Sequence, residues 1–120
     1  MHLYEQHCYN ENKPQLLNDK QIKQYLKQIP EWDLLIDHSE NKDINSISRT
    51  FKFKDYQQTL LFINTIAALI HKENHHPDIK FGYNHCLINY STHSAGGVTV
   101  FDFICAAHID KVAAQPGFNE

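Results

Sequence analysis

The chain has only three cysteines, four glycines and four prolines in 120 residues, and each scarcity removes a class of protein. Cys8, Cys86 and Cys105 are odd in number and show no CxxC spacing. That argues against a disulfide scaffold and fits reduced thiols. So little glycine and proline excludes fibrous and linker-like chains, and no repeat or low-complexity tract is present. A basic excess is missing too: eleven Lys and Arg against fourteen Asp and Glu leave a formal charge of −3. General binding to nucleic acid or anionic membranes is therefore not expected. The longest apolar-rich run, "LLFINTIAALI", is broken by Asn64 and Thr65 and is too short to span a bilayer. "MHLYEQHCYNENK" has no apolar segment of the signal-peptide kind. The expectation is one soluble, cytoplasmic domain over residues 1–120, with residues 1–18 as a polar, extended or loosely packed N-terminal arm.

What is present reads as alternating helices and hairpins. Asn18 or Asp19 can cap a helix carrying Ile22, Leu26 and Ile29 at helical spacing, closed by Pro30. "WDLLI" places Trp32, Leu34 and Ile36 on one side of a strand. "SISRTFKF" turns Ile47, Phe51 and Phe53 one way and Ser46, Ser48, Thr50 and Lys52 the other. The charged "DHSENKD" joins them as a turn. From Asp55 to about Asn74 the period becomes helical, with Leu60, Ile63, Ala67 and Ile70 as the core stripe. Leu61, Phe62, Ile66, Ala68 and Leu69 spread apolar surface around that helix, so it should cover a sheet and also meet a second subunit. "IKFGY" and "CLINYST" form a second hairpin turning at Asn84-His85, and "SAGG" forms a tight turn. Thr99 and Asp102 have capping-box spacing at the start of a last helix with Phe101, Ile104, Cys105, His108, Ile109 and Val112 as its stripe. The order α-β-β-α-β-β-α is that of an α+β domain with an antiparallel sheet.

Nine histidines are the chain's richest chemical resource, and three of them fall in "HKENHHPD". His71 and His75, four apart, suit a metal pair by spacing. The HExxH order and an acidic third ligand are missing, so no metal is expected there. His75 and His76 stand at the end of the long helix, where Pro77 lacks an amide hydrogen and disfavours the α conformation at His76. Alone, this terminus reads rather as exposed, solvated histidines. His93 in "YSTHSAGG" changes the balance. It lies at a strand end before a glycine-containing turn, where chemistry often sits. If that strand lies beside the helix, three imidazoles suited to proton transfer near neutral pH converge.

"HHPD" followed by "FGYN", then "YSTH", then Asp102 nine residues after His93, resembles the pterin-4a-carbinolamine dehydratases. The likeness runs from Trp32 and "TFKFKDY" to "IDKVA"; Ile79 and Lys80 stand where animal relatives carry an aromatic pair. It implies a four-stranded antiparallel sheet with three helices packed on one face, assembled into a homodimer or homotetramer. The implied reaction is dehydration of 4a-hydroxytetrahydropterin to quinonoid dihydropterin, in tetrahydrobiopterin recycling for an aromatic amino-acid hydroxylase. No metal, nucleotide or other cofactor is called for. The resemblance assigns proton transfer to His75 and His93, and pterin binding with assistance to His76. Ser91 and Thr92 would meet the pterin ring edge, Pro77 would set the angle of His76, and Asp102 would orient His93 or cap the helix. Tyr83 would pack near the pocket or fill core. His2, His7, His38 and His85 read as solvated, His71 as supporting and His108 as a satisfied core histidine. The rivals are a non-catalytic pterin-binding or dimerisation module and a His-rich metal protein.

Overall fold

Each of the three helices begins where a side chain takes up a free amide of the first turn. In the computed structural model, which describes residues 2–8, 13–38 and 43–118, Asn18 and Gln21 form a reciprocal capping box at helix α1 (Asp19–Leu26). Asp55 accepts from the Gln58 amide at helix α2 (Tyr56–Glu73). Thr99 and Asp102 form a second capping box at helix α3 (Val100–Ala113). Strands β1 (Asp33–Asp37), β2 (Ile44–Lys52), β3 (Asp78–Phe81) and β4 (His85–Tyr90) make one antiparallel sheet in the order β1-β2-β4-β3. The α-β-β-α-β-β-α order and the α+β class are those expected.

Strand alternation sends Ile47 and Phe51 of β2 and Cys86, Ile88 and Tyr90 of β4 to the helical side, all buried. Phe62 of α2 docks there, its ring 5.0 Å from Phe51 and 4.9 Å from Phe53. Its neighbours at helical spacing, Thr59, Ile66, Ile70 and Glu73, are buried with it. The stripe therefore runs through Phe62 and not, as expected, through Leu60, Ile63 and Ala67; the large ring decides which face turns inward. Tyr56 and Leu61 stay 46% and 55% exposed, leaving α2 with a second, open apolar side. In α3 the buried set runs from Asp102 to Ala107 with Ile109, broader than a single stripe; Phe101, His108 and Val112 are only half-buried.

Two expectations about packing are corrected. β1 is an edge strand whose residues all remain exposed, Leu34 and Ile36 included. Trp32 precedes it and is buried, its Nε1–H donated to Asp110 at 2.8 Å. Asp110 also meets Arg49 at 2.7 Å, tying β2 to α3. Burial holds its carboxyl above the ordinary range although Trp32 and Arg49 pull the other way. The described N-terminal arm is anchored over residues 3–8, while residues 13–18 are extended and mostly exposed. Leu3 is fully buried in a 3₁₀ turn (Leu3–Glu5) against α3, and Cys8 is buried against Cys105. Most of the expected "DHSENKD" turn lies outside the described residues. Tyr83, at the β3–β4 turn, is 63% exposed and fills no core. His2, His38 and His85 are exposed, as expected.

Candidate active site

The helix carrying the histidine cluster stops sooner than Pro77 alone requires. Asn74 takes the left-handed conformation (φ 52°), its amide donating back to Ile70 and His71. Asparagine tolerates that geometry better than most residues. His75 consequently leaves the helix, and the expected pairing of His71 and His75 on one helical side does not form. His71 stays exposed on α2.

His75 turns inward. Its ring lies parallel to Tyr90 at 5.3 Å between centroids and edge-on to Phe101 at 6.0 Å. Its Nε2 is 2.6 Å from Oδ1 of Asp102, with 14% of the His75 side chain and none of the Asp102 side chain exposed. A carboxylate only accepts, so Nε2 is the nitrogen that carries a proton toward Asp102, and any lone pair the ring keeps is on Nδ1. The Tyr90 hydroxyl donates to the His75 carbonyl at 3.0 Å, fixing the backbone as well; burial pushes that phenol well above its usual range. Asp102 is fully engaged. Its Oδ2 accepts from the Thr99 amide and the Thr92 hydroxyl, each at 2.9 Å. The capping residue of α3 is thus also the partner of a histidine, but of His75 and not of His93. Thr92 is likewise buried, its hydroxyl shared with Asp102 and Thr99. It supports the carboxylate and does not offer its hydroxyl to an open pocket.

His93 opens a 3₁₀ turn (His93–Ala95) that Gly96 closes at φ 85°. The loop is pinned to β2 because Asn45 Oδ1 accepts from the Val98 amide at 2.7 Å. A Cβ at Gly97 would fall 2.3 Å from that same oxygen, so the close approach requires glycine. The exposed ring of His93 thereby borders a cleft of about 320 Å³ shared with His76, Pro77 and Ser91. That size is at the small-molecule end of ligand pockets. His75 is not among the lining residues; its ring is turned to Asp102 and Tyr90. Asp37, Ile44, Ser46, Asp78 and Asn89 complete the walls. Sequence reading did not single these out, although Ser46 was expected on the polar side of β2 and Asp78 follows the "HHP" unit directly. Ser91 donates to the Asn45 carbonyl at 2.9 Å, and Asn89 to Ser46 at 3.0 Å. The cleft therefore presents two imidazoles, two carboxylates, hydroxyls and an amide, with a carboxylate-held imidazole beside it. Such a set can exchange protons with a small polar molecule and bind its donors.

A family model described as pterin 4 alpha carbinolamine dehydratase matches residues 15–112, which include every residue of this site. A protein of Hydrogenovibrio crunogenus named "Putative pterin-4-alpha-carbinolamine dehydratase" is 46% identical over 91 residues, 76% of this chain and 75% of that relative. The crystal structure of a transcriptional coactivator/pterin dehydratase from Brucella melitensis superposes with a TM-score of 0.71 at 30% identity, over 82% of this chain and 98% of that one. A pterin dehydratase-like RuBisCO assembly factor of the alpha-carboxysome shares the fold, with a TM-score of 0.58 at 24% identity over 71% of this chain and 92% of that one. With the fold, the His76-Pro77 and His93 cleft and these matches agreeing, the chain belongs to the pterin-4-alpha-carbinolamine dehydratase family.

Proposed function

We propose that the cleft binds 4a-hydroxytetrahydropterin and releases water from it, leaving the quinonoid dihydropterin. The observation that carries this reading is the pairing of His76 and His93 across one small-molecule cleft beside the Asp102-held His75. In this reaction the lone pair on the ring nitrogen next to carbon 4a forms a C=N bond as the C–O bond breaks. A general acid protonates the departing oxygen and a general base takes the nitrogen's proton, so one proton enters, one leaves, and water is the only by-product. Each such transfer contributes about 10²–10⁴-fold. In this account His93 and His75 carry the two protons, while His76, its direction set by Pro77, binds the pterin and assists. The carboxylates of Asp37 and Asp78 and the oxygen of Ser91 suit the amino and N–H edge of a pterin, which presents donors.

The same proposal takes the enzyme as a hydro-lyase that serves tetrahydrobiopterin recycling beside an aromatic amino-acid hydroxylase, as a cytoplasmic homodimer or homotetramer. The open apolar side of α2, with Tyr56 and Leu61, and the neighbouring Phe81 support assembly. Among the described residues no helix is long and apolar enough to cross a membrane.

Binding tests the site apart from turnover. A non-reacting 7,8-dihydropterin titrated into the protein is expected to bind about tenfold more weakly to His76→Ala than to wild type, the loss of roughly one charge-assisted hydrogen bond. Equal affinity in the two proteins would place the pterin elsewhere.

A further inference from the structure

A second histidine cluster lies outside the cleft, on the far side of the α2 terminus. His7 from the N-terminal arm, Glu73 from the last turn of α2 and His108 from α3 each bring one ligand atom to within 4.8 Å of the other two. They are distant in sequence, so the fold assembles them. His7 falls outside the residues 15–112 that match the family model.

We propose that His7, Glu73 and His108 form a binding site for one zinc-class divalent cation that clamps the arm onto α2 and α3. Two imidazoles and a carboxylate are a common ligand set for such a cation, with water completing a tetrahedron. Glu73 has 1% of its side chain exposed. The bonds it accepts come from His7 Nδ1 at 2.8 Å and the Cys8 amide at 2.7 Å, and neither donor is a permanent cation. A buried carboxylate is costly unless a charge or a metal compensates it. The cation takes the place of the proton that His7 and Glu73 share, their 2.8 Å separation opening to about 3.3 Å around a tetrahedral ion with bonds of about 2.0–2.1 Å. His108 has the outer hydrogen bond typical of a liganding imidazole. Its Nε2 donates to the Gln6 carbonyl at 2.7 Å, so Nδ1 is the nitrogen it would offer to the cation. The two rings are stacked 5.2 Å apart, so holding one ion requires them to rotate until their in-plane lone pairs converge. Cys8 is not the fourth ligand, because its sulfur is turned to Cys105 at 3.5 Å and to the Phe101 carbonyl at 3.6 Å.

The test is calorimetric titration of ZnCl2 into chelator-stripped full-length protein, with Co2+ absorption reporting geometry. The expected result is one Zn2+ per chain, a Tm that rises with Zn2+ concentration, and a tetrahedral Co2+ spectrum. His7→Ala and His108→Ala should each weaken binding roughly tenfold or more. His38→Ala and His76→Ala, outside the cluster, should bind as wild type does. Circular dichroism confirms that each variant is folded. Absence of a tight site in the wild-type protein would overturn the proposal. So would a site that survives both cluster substitutions, or one that is lost only with His76.

Discussion

Alanine at both His75 and His93 is expected to return dehydration of 4a-hydroxytetrahydropterin to within a few-fold of its spontaneous rate. The two side chains rest on different supports. His93 is exposed on a loop pinned to β2, while His75 is stacked on Tyr90 and held by Asp102. If one serves the leaving oxygen and the other the ring nitrogen, each single substitution should cost about 10²–10⁴-fold, or ~2.7–5.4 kcal/mol of transition-state stabilisation. The double variant then falls below either single one until the uncatalysed rate sets the floor. If both histidines belonged to one proton relay, the second substitution would add little, since groups acting as a unit are strongly non-additive. Initial rates for the wild type, both single variants and the double variant separate these cases. A double variant with wild-type turnover would remove both histidines from the mechanism.

Asp102→Asn should be nearly as damaging to turnover, through a different physical route. The Thr99 amide and the Thr92 hydroxyl both donate to Oδ2, so an asparagine must place its carbonyl there. Its NH2 then faces His75, where the native carboxylate accepts from Nε2. An NH2 cannot accept that proton, so His75 must move its proton to Nδ1 and lose the lone pair it had there. Turnover is expected to fall about 10²-fold, and the loss of a charged acceptor should lower stability by about 1–3 kcal/mol. Nitrogen-15 NMR of the histidine rings distinguishes this from mere loosening, because the His75 signals should exchange their protonated and unprotonated positions. Urea unfolding gives the stability change. Native turnover with an unchanged His75 tautomer would contradict the positioning role.

The parts of this architecture that were legible in the sequence are those decided locally. Asn18 as a cap, and Thr99 with Asp102 as a capping box, mark helix starts through contacts three residues long. The alternation of Ile47, Phe51 and Phe53 sets the buried side of β2 without reference to the rest of the chain. The end of α2 was harder to see, because asparagine fits a helix as well as a left-handed cap, and Pro77 offered the more conspicuous stop. That single turn changes the site. It detaches His75 from His71 and delivers it to Asp102, 27 residues further on. Contacts over such separations leave no local trace, which is why Asp102 read as a partner for the nearer His93. The two anchors of the arm were not legible for a related reason: Leu3 and Cys8 are isolated apolar residues with no period, and their burial depends on packing against α3. The side walls from Asp37, Ser46 and Asn89 depend on which strands lie side by side, and the order β1-β2-β4-β3 is a property of the whole sheet.

The most direct test of the central claim is the dehydration rate of freshly generated 4a-hydroxytetrahydropterin with and without the wild-type protein. The account predicts a rate far above the spontaneous one, falling at least 10²-fold in His93→Ala. A folded wild-type protein that binds 7,8-dihydropterin yet leaves the dehydration at its spontaneous rate would contradict it, and would make this cleft a binding site without catalysis.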